Sequence, residues 1–364
     1  MKVAVIIDTW FPFIGGGQVN AWEISKRLAK KGVKVDIITR NNGKDNLKKV
    51  MNVNIYKLGS QSAITDNFAR ITFLIKVFIF IYKKDYDILH PYVYLPAFTA
   101  KIIMILKKKP VVLSIFGTSI NSDLTGSFRK LIEKIILLKI KYTAQITDSR
   151  NFLKLKNVNK TVVYIPHGVN LELFNKVKGN KYSRFTILTV ARLHPQKNLE
   201  NLIRAFAKVK NKISYPQLYI VGDGPEKQNL KALINELDLD KDVKLLGVIS
   251  GNELIKIYKS CHLFILASLY EGQPISLLEA WAAKLPVIVS KTGDCQYLVK
   301  NEINGYQIDN QLDPSSIAKI IVDAVQNKKL EELGKNGFNL IKNKYNWEKS
   351  AEKVYDLYKK SLNN

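Results

Sequence analysis

Residues 2–8 read KVAVIID, a near-continuous apolar run without alternation of polar and apolar positions. A strand of that texture has to be covered on both faces, as strands of parallel α/β sheets are. The next stretches define the unit. FPFIGGGQ is a glycine-rich loop, VNAWEISKRLAKKG carries apolar residues at helical spacing, and VKVDIIT (33–39) supplies a second buried strand. Strand, helix and strand in that order make a βαβ unit. DILH (87–90) and PVVLSIF (110–116) read as further strands, and ITFLIKVFIFIY (71–82) and FRKLIEKIILLKIKY (128–142) as helices.

The texture turns polar around PHGVNLELFNKVKGNKYSR (166–184), and the alternation then begins again. FTILTVAR (185–192), QLYIVGDGP, VKLLG, CHLFILAS and LPVIVS read as strands. NLENLIRAFAKVK, LKALINELDL, GNELIKIYKS and PISLLEAWAAK read as the helices between them. A chain of 364 residues exceeds one ordinary core. The expected architecture is α/β, with two doubly wound Rossmann-like domains facing a central cleft. The predicted spans are 1–172, 173–346 and a terminal helix, 347–364. Ligands in such folds sit at the carboxyl ends of the strands, so the loops there carry the chemistry.

Charge narrows the partners. The chain has 57 Lys and Arg against 31 Asp and Glu, a net +26. Residues 1–180 hold 30 of the basic and 11 of the acidic side chains, so the N-terminal half faces something anionic. Two cysteines, Cys261 and Cys295, exclude a disulfide framework and a CxxC metal pair, and four scattered histidines give no zinc signature. No recognition-helix or ribonucleoprotein motif supports nucleic acid as the partner. The apolar start meets Asp8 at once and reads as a strand rather than a leader. The longest apolar stretch, 71–82, is shorter than the roughly 20 residues needed to span a bilayer. The expected location is cytoplasmic, peripheral on the inner face of the membrane.

Two glutamates stand out in LASLYEGQPISLLEAWAA (266–283). Pro274 suits the first helical position, which leaves Glu271 in the loop and Glu279 within the helix. A carboxylate on an apolar helix face costs several kcal/mol unless it is paired, and vicinal sugar hydroxyls would satisfy both of its oxygens. VARLHPQKN presents Arg192 and Lys197 before a helix, where two cations and free N–H groups suit phosphate. Gly15, Gly16 and Gly17 offer backbone without Cβ for approach to an anion, although three glycines alone are not a GxGxxG fingerprint. GDGP (222–225) reads most simply as a turn. His90 at a strand end is a candidate acid or base, set against the commoner role of a hydrogen-bonded structural residue.

These stretches together resemble the retaining glycosyltransferases of family 4, the group 1 glycosyl transferases, which have the GT-B fold. The resemblance rests on FPFIGGGQVNAWEISKRLAKKGVKV, YIPHGVNLELF, VARLHPQKNLENLIRAF, LYIVGDGP, FILASLYEGQPISLLEAWAAKLPVIVS with its E-x7-E spacing, and NGYQI. It implies that Glu279 holds the ribose of a nucleoside-diphosphate sugar, and that Glu271 lies beside the donor sugar. The backbone of Gln273, Pro274 and Ile275 would lie near the sugar hydroxyls. Arg192 and Lys197 would neutralise the diphosphate without a metal, and Gly15 and Gly16 would border it. No separate cofactor is implied. The acceptor, a glycan, lipid-linked glycan or lipid, belongs to the basic N-terminal domain.

The chain departs from the family pattern at several points. Phe116 stands before Gly117 where many members have histidine; Tyr92 is the second position of a frequent histidine pair that begins here with His90; Asn20 replaces another. Lys284 takes the place of a glycine after the EAWAA helix, at a cost of up to ~1 kcal/mol if the left-handed C-cap is kept. A non-catalytic nucleotide-sugar binder and a basic nucleic-acid-binding protein are the rival readings. The charge excess, with KKK at 107–109 and the apolar segment 71–82, fits anionic lipid headgroups. The plainer reading of 71–82 is a core helix.

Overall fold

The computed structural model describes residues 1–11, 15–43, 52–63, 66–116, 135–136, 140–150, 161–327 and 329–363. The chain divides into two compact units: Met1–His167 with Trp347–Asn364, and Gly168–Asn346. The 128–142 helix lies largely outside the described residues, as does Gly117.

In unit 1, β1 (Lys2–Ile7) is central, flanked in parallel by β2 (Lys34–Arg40) and β4 (Ile88–Pro91), with β3 (Val53–Leu58) outside β2. Parallel bridges Leu89–Val111 and Tyr92–Ser114 lead on to β5 (Val112–Ile115), which pairs with β6 (Ala144–Thr147), and that with β7 (Val162–Tyr164). Val3 to Ile7 are all buried, as the unbroken apolar run requires. Helix α1 (Gly16–Lys30) follows β1 and α2 (Asn67–Tyr82) follows β3. Helix α3 (Tyr94–Lys107) follows β4. The oxygen of Asp66 accepts the Ala69 N–H at 2.9 Å and caps α2. Phe73, Val77 and Ile81 of α2 join Ala97, Ala100 and Ile103 of α3 and Ala4 and Ile6 of β1 in one core.

In unit 2 the strand order is β10 (Val243–Gly247), β9 (Gln217–Val221), β8 (Thr186–Val190), β11 (Leu263–Leu266), β12 (Val287–Ser290), β13 (Tyr306–Ile308), all parallel. Helix α4 (Leu171–Lys176) precedes β8. Helices α5 (Leu199–Lys210), α6 (Lys227–Glu236), α7 (Gly251–Ser260), α8 (Ile275–Ala282), α9 (Cys295–Leu298), α10 (Pro314–Gln326) and α11 (Leu330–Lys344) follow in order. Neighbouring strand residues feed opposite layers. Ile187, Leu263, Ile265 and Ile288 pack with α5, α6 and α10, whereas Leu188, Phe264, Leu266 and Val289 pack with α7, α8 and α11. Burying a side chain of this size stabilises by roughly 1.5–3 kcal/mol relative to leaving it exposed. The fold is α/β, with parallel sheets in two Rossmann-like units.

Helix α12 (Trp347–Leu362) belongs to unit 1 and lies along α1. There Glu348 accepts from Arg27 Nε at 2.8 Å, and Lys31 pairs with Glu352 at 3.2 Å.

Candidate active site

The sheet order of unit 2 reverses between β8 and β11, so the loops leaving these two strands are neighbours at a topological switch point. This brings together residues 74 positions apart. Lys197 Nζ lies 2.6 Å from Glu271 Oε1, which also accepts from Ser268 Oγ at 2.7 Å. The Lys197 and Glu271 side chains are only 14% and 6% exposed. Lys197 is therefore not the free cation that the isolated loop suggested. Its ammonium has three donors, one of which is committed to Glu271. Arg192 is exposed, and among the described residues no ion pair neutralises it.

One backbone and two side-chain hydrogen bonds fix the two loops to each other. Leu269 N–H donates to Gln196 O at 2.9 Å, Gln196 Nε2 to Tyr270 O at 3.0 Å, and Asn198 Nδ2 to Ala267 O at 3.0 Å. Asn198 has φ 54°, a left-handed conformation that Asn tolerates better than most residues. The GDGP stretch does more than turn the chain. Leu193 N–H donates to Asp223 O, and Glu226 N–H to Leu193 O, both at 3.0 Å. A Cβ on Gly222 (φ 142°) would stand 1.9 Å from Ala191 O. Strand β8 ends two residues earlier than the sequence pattern suggested, although Ala191 N–H still donates to Val221 O at 3.0 Å. On the far side, a Cβ on Gly293 would stand 2.0 Å from Glu271 O, and Asp294 N–H donates to Gly272 O at 2.8 Å. Gln196, Asn198, Gly293 and Asp294 were not singled out from sequence. Their signal is the place of their loops after β8 and β12, which becomes specific only once the strand order is known.

Pro274 is the N-cap of α8, one position before the predicted place, and Ile275 is the first helical residue. Gln273 and Pro274 are buried. Glu279 is half-buried on α8 and its Oε2 accepts from Tyr258 Oη of α7 at 2.9 Å. The pairing this carboxylate requires is therefore met in part by the protein itself, and a ligand is not its sole partner. Burial pushes the Glu279 pKa up to about 7 against the opposing pull of the tyrosine hydrogen bond. Tyr258 is fully buried, and its pKa is raised by burial and then by the adjacent Glu279. Burial, with Arg192 nearby, lowers the His194 pKa.

Helix α8 ends in a left-handed cap at Lys284, φ 60°. Lys284 N–H donates to Trp281 O and Leu285 N–H to Ala280 O, each at 2.9 Å, the pattern of a Schellman motif. The Lys284 ammonium lies 5.1 Å from the Phe338 ring centroid.

The remaining candidates lie in unit 1. Gly15 is the N-cap of α1 and makes no side-chain cap; Gly16 and Gly17 begin the helix, and its first turn has no acidic residue. None of the three needs positive φ. A Cβ on Gly17 would meet Phe116 at 3.9 Å, an ordinary contact. His90 is not an exposed acid or base. It is 1% exposed; Nε2 lies 2.7 Å from Ser114 Oγ, and Nδ1 is hydrogen-bonded to Tyr358 Oη. Burial lowers its pKa to about 3. Sequence could not reveal this, because Tyr358 comes from α12, 268 residues away. The departures from the family pattern lie beside it. Tyr92 donates to Asn20 Oδ1 at 3.1 Å, and the Tyr92 ring centroid lies 4.8 Å from that of His90 and 5.3 Å from that of Phe116. Among the described residues no group of three or more His, Cys, Asp or Glu could hold a metal ion.

Each unit is an α/β layer structure with a parallel sheet, and in unit 2 the Lys197–Glu271 pair and the exposed Arg192 stand on loops at the switch point, where folds of this class bind ligands. The family of glycosyl transferases group 1 matches residues 172–340, and the glycosyl transferase 4-like family matches residues 13–150. An Escherichia coli protein, UDP-Gal:alpha-D-GlcNAc-diphosphoundecaprenol alpha-1,3-galactosyltransferase, is 31% identical over 306 residues, covering 78% of each chain. An uncharacterized glycosyltransferase of Methanocaldococcus jannaschii is 27% identical over 384 residues, covering 99% of this chain and 98% of its own. Among solved structures, a sucrose-phosphate synthase from Thermosynechococcus elongatus superposes with TM-score 0.86 at 22% identity, covering 99% of this chain and 98% of that one. Anabaena HepE in complex with UDP and glucose gives 0.79 at 18%, covering 98% of both chains. The chain belongs to the family 4, group 1 glycosyltransferases of GT-B fold.

Proposed function

We propose that this glycosyltransferase retains anomeric configuration while moving a sugar from a nucleoside-diphosphate sugar to a glycan or lipid-linked acceptor at a membrane surface. The observation that carries the donor reading is the convergence of Arg192, Lys197 and Glu271 on one switch point, with Glu279 on the adjoining helix. Arg192 and the uncommitted N–H donors of Lys197 oppose the charge that builds on the leaving diphosphate, the role a divalent ion has in other transferases. Glu271 holds Lys197 at that point and, beside the donor sugar, accepts from its hydroxyls. Gln273, Pro274 and Ile275 bring backbone to the same sugar, and Glu279 accepts from the ribose. Gly15, Gly16 and Gly17 leave the start of α1 without a side-chain cap, a helix N-terminus of the kind that suits an anion.

With His90 enclosed and Phe116 apolar, unit 1 presents no imidazole at these two positions for proton transfer. The acceptor hydroxyl then attacks the anomeric carbon on the face the diphosphate leaves. Its proton passes to a departing phosphate oxygen, and no protein nucleophile is needed. The Escherichia coli relative, named for UDP-Gal as donor and a diphosphoundecaprenol-linked sugar as acceptor, supports a lipid-linked acceptor here. A thermal-shift screen against UDP, GDP, ADP and their sugars tests the donor reading, because a true ligand raises the midpoint with concentration. At least one nucleotide should do so in the wild type and act more weakly on Glu279→Ala. No shift with any of them refutes the reading, and binding without transfer across an acceptor panel would leave a non-catalytic binder.

A further inference from the structure

The segment 71–82 is a helix of unit 1, but only one of its faces is core. Phe73, Val77 and Ile81 are buried, while Phe68 (77% exposed), Ile71, Ile75, Ile79 and Tyr82 face away from that core at steps of three and four residues. Helix α3 repeats the arrangement: Ala97, Ala100 and Ile103 are buried, and Phe98, Ile102, Ile105 (66%) and Leu106 are exposed. The two helices pack side by side on one sheet face with their buried residues in one core, so their exposed stripes form one surface. Nine of the eighteen large exposed apolar residues described for the whole chain lie on it. A concentration of that size marks an interaction site rather than ordinary scatter.

Charge indicates what covers this surface. Neither helix contains Asp or Glu. Lys83 and Lys84 close α2, and Lys107, Lys108 and Lys109 close α3. Lysines also favour helix C-termini, but that does not explain the apolar stripes beside them. The Lys84 ammonium lies 4.1 Å from both the Tyr56 and Phe80 ring centroids and that of Lys107 5.0 Å from the Tyr82 centroid, so these cations stand beside the apolar surface. Lys109 is partly neutralised by Asp85 at 3.0 Å. A second copy of this face would set lysines against lysines, whereas a bilayer with anionic headgroups takes the apolar stripe into its acyl boundary and the lysines among its phosphates. Among the described residues no helix is long and apolar enough to cross a membrane.

We infer that the α2–α3 face is a membrane-docking surface for bilayers containing anionic lipid. The inference rests on the membrane part of the proposed function and not on the donor chemistry, so the two can fail separately. The test is flotation of the full chain with phosphatidylcholine vesicles, with and without phosphatidylglycerol, at low and high salt. The expected result is co-flotation with phosphatidylglycerol vesicles that salt weakens. Ile75→Glu/Ile105→Glu, at two exposed sites, should lower the partition constant by on the order of tenfold or more while its melting midpoint and its affinity for UDP, GDP or ADP stay as in the wild type. A wild type that stays unbound at low salt overturns the inference, as does a double variant that floats like the wild type. Sedimentation showing a dimer that the double variant abolishes, without flotation of the wild type, assigns the face to a second copy and overturns it too.

Discussion

The Tyr258–Glu279 contact gives a pH-resolved prediction. A hydrogen bond to a charged group contributes roughly 1.5–3 kcal/mol. Tyr258→Phe removes one such bond from the Glu279 carboxylate, made at 2.9 Å. At 1.36 kcal/mol per unit, the pKa should rise by about one to two units. Glu279 would then move from about 7 to about 8–9. If ribose binds the carboxylate, affinity in the wild type climbs between pH 6 and 8 as Glu279 ionises. At pH 7 the ionised fraction falls from about half to a few per cent, so nucleotide affinity should weaken about 5- to 50-fold in Tyr258→Phe and recover at higher pH. The assay is calorimetric titration with the nucleoside diphosphate found in the screen, from pH 5.5 to 9. Glu279→Gln serves as the control that isolates the ligand's own ionisation. Equal affinity and an unshifted midpoint in Tyr258→Phe would refute the assignment of Glu279 to the ribose.

The same group affects stability. Glu279 is raised from 4.5 to about 7 on folding, so its favourable contribution is complete below pH 4.5 and is lost as pH rises through 7. Glu279→Gln should therefore flatten the decline in stability from pH 4.5 to 7.5 seen in denaturant midpoints, an effect on the order of 3 kcal/mol at most. His90 has the opposite sign: its pKa falls from 6.5 to about 3, so the stability it gives is present above 6.5 and lost as pH falls toward 3. Acid unfolding of His90→Gln should begin at lower pH relative to its own neutral baseline. Lys197→Met leaves Glu271, in a nearly closed site, with Ser268 Oγ as its remaining side-chain donor among the described residues, so stability should fall by about 3–5 kcal/mol. Lys197→Met/Glu271→Gln should recover much of that loss in urea unfolding. Lys284→Gly relieves a left-handed Lys and should stabilise by up to about 1 kcal/mol, less the cation–π contact with Phe338, read as a small rise in Tm.

Strand texture made the fold legible, because unbroken apolar runs such as VAVII at residues 3–7 have few homes other than a covered parallel strand. Site residues were legible as types on loops, through Arg192, Lys197 and the E-x7-E spacing. Their partners were not. Lys197 meets Glu271 only because β8 and β11 adjoin, and Tyr258 reaches Glu279 from the preceding helix. For His90 the sequence left an acid or base set against the commoner hydrogen-bonded structural role, and Tyr358 of α12 with Ser114 supplies the bonds of the latter. Periodicity could not divide α2 into a core face and an exposed face, since both are apolar and only the packing of α3 and the sheet separates them.

The proposed sugar transfer depends on the Arg192–Lys197–Glu271 switch point. Its most direct measurement is release of nucleoside diphosphate from a panel of UDP-, GDP- and ADP-sugars by the purified full chain, with and without lipid-linked acceptors, beside Arg192→Ala. On this proposal the wild type should release nucleoside diphosphate from at least one donor, with retained configuration in the product, and a folded Arg192→Ala variant should lose that release. Release unchanged in Arg192→Ala, or none from any donor in the wild type, would contradict it.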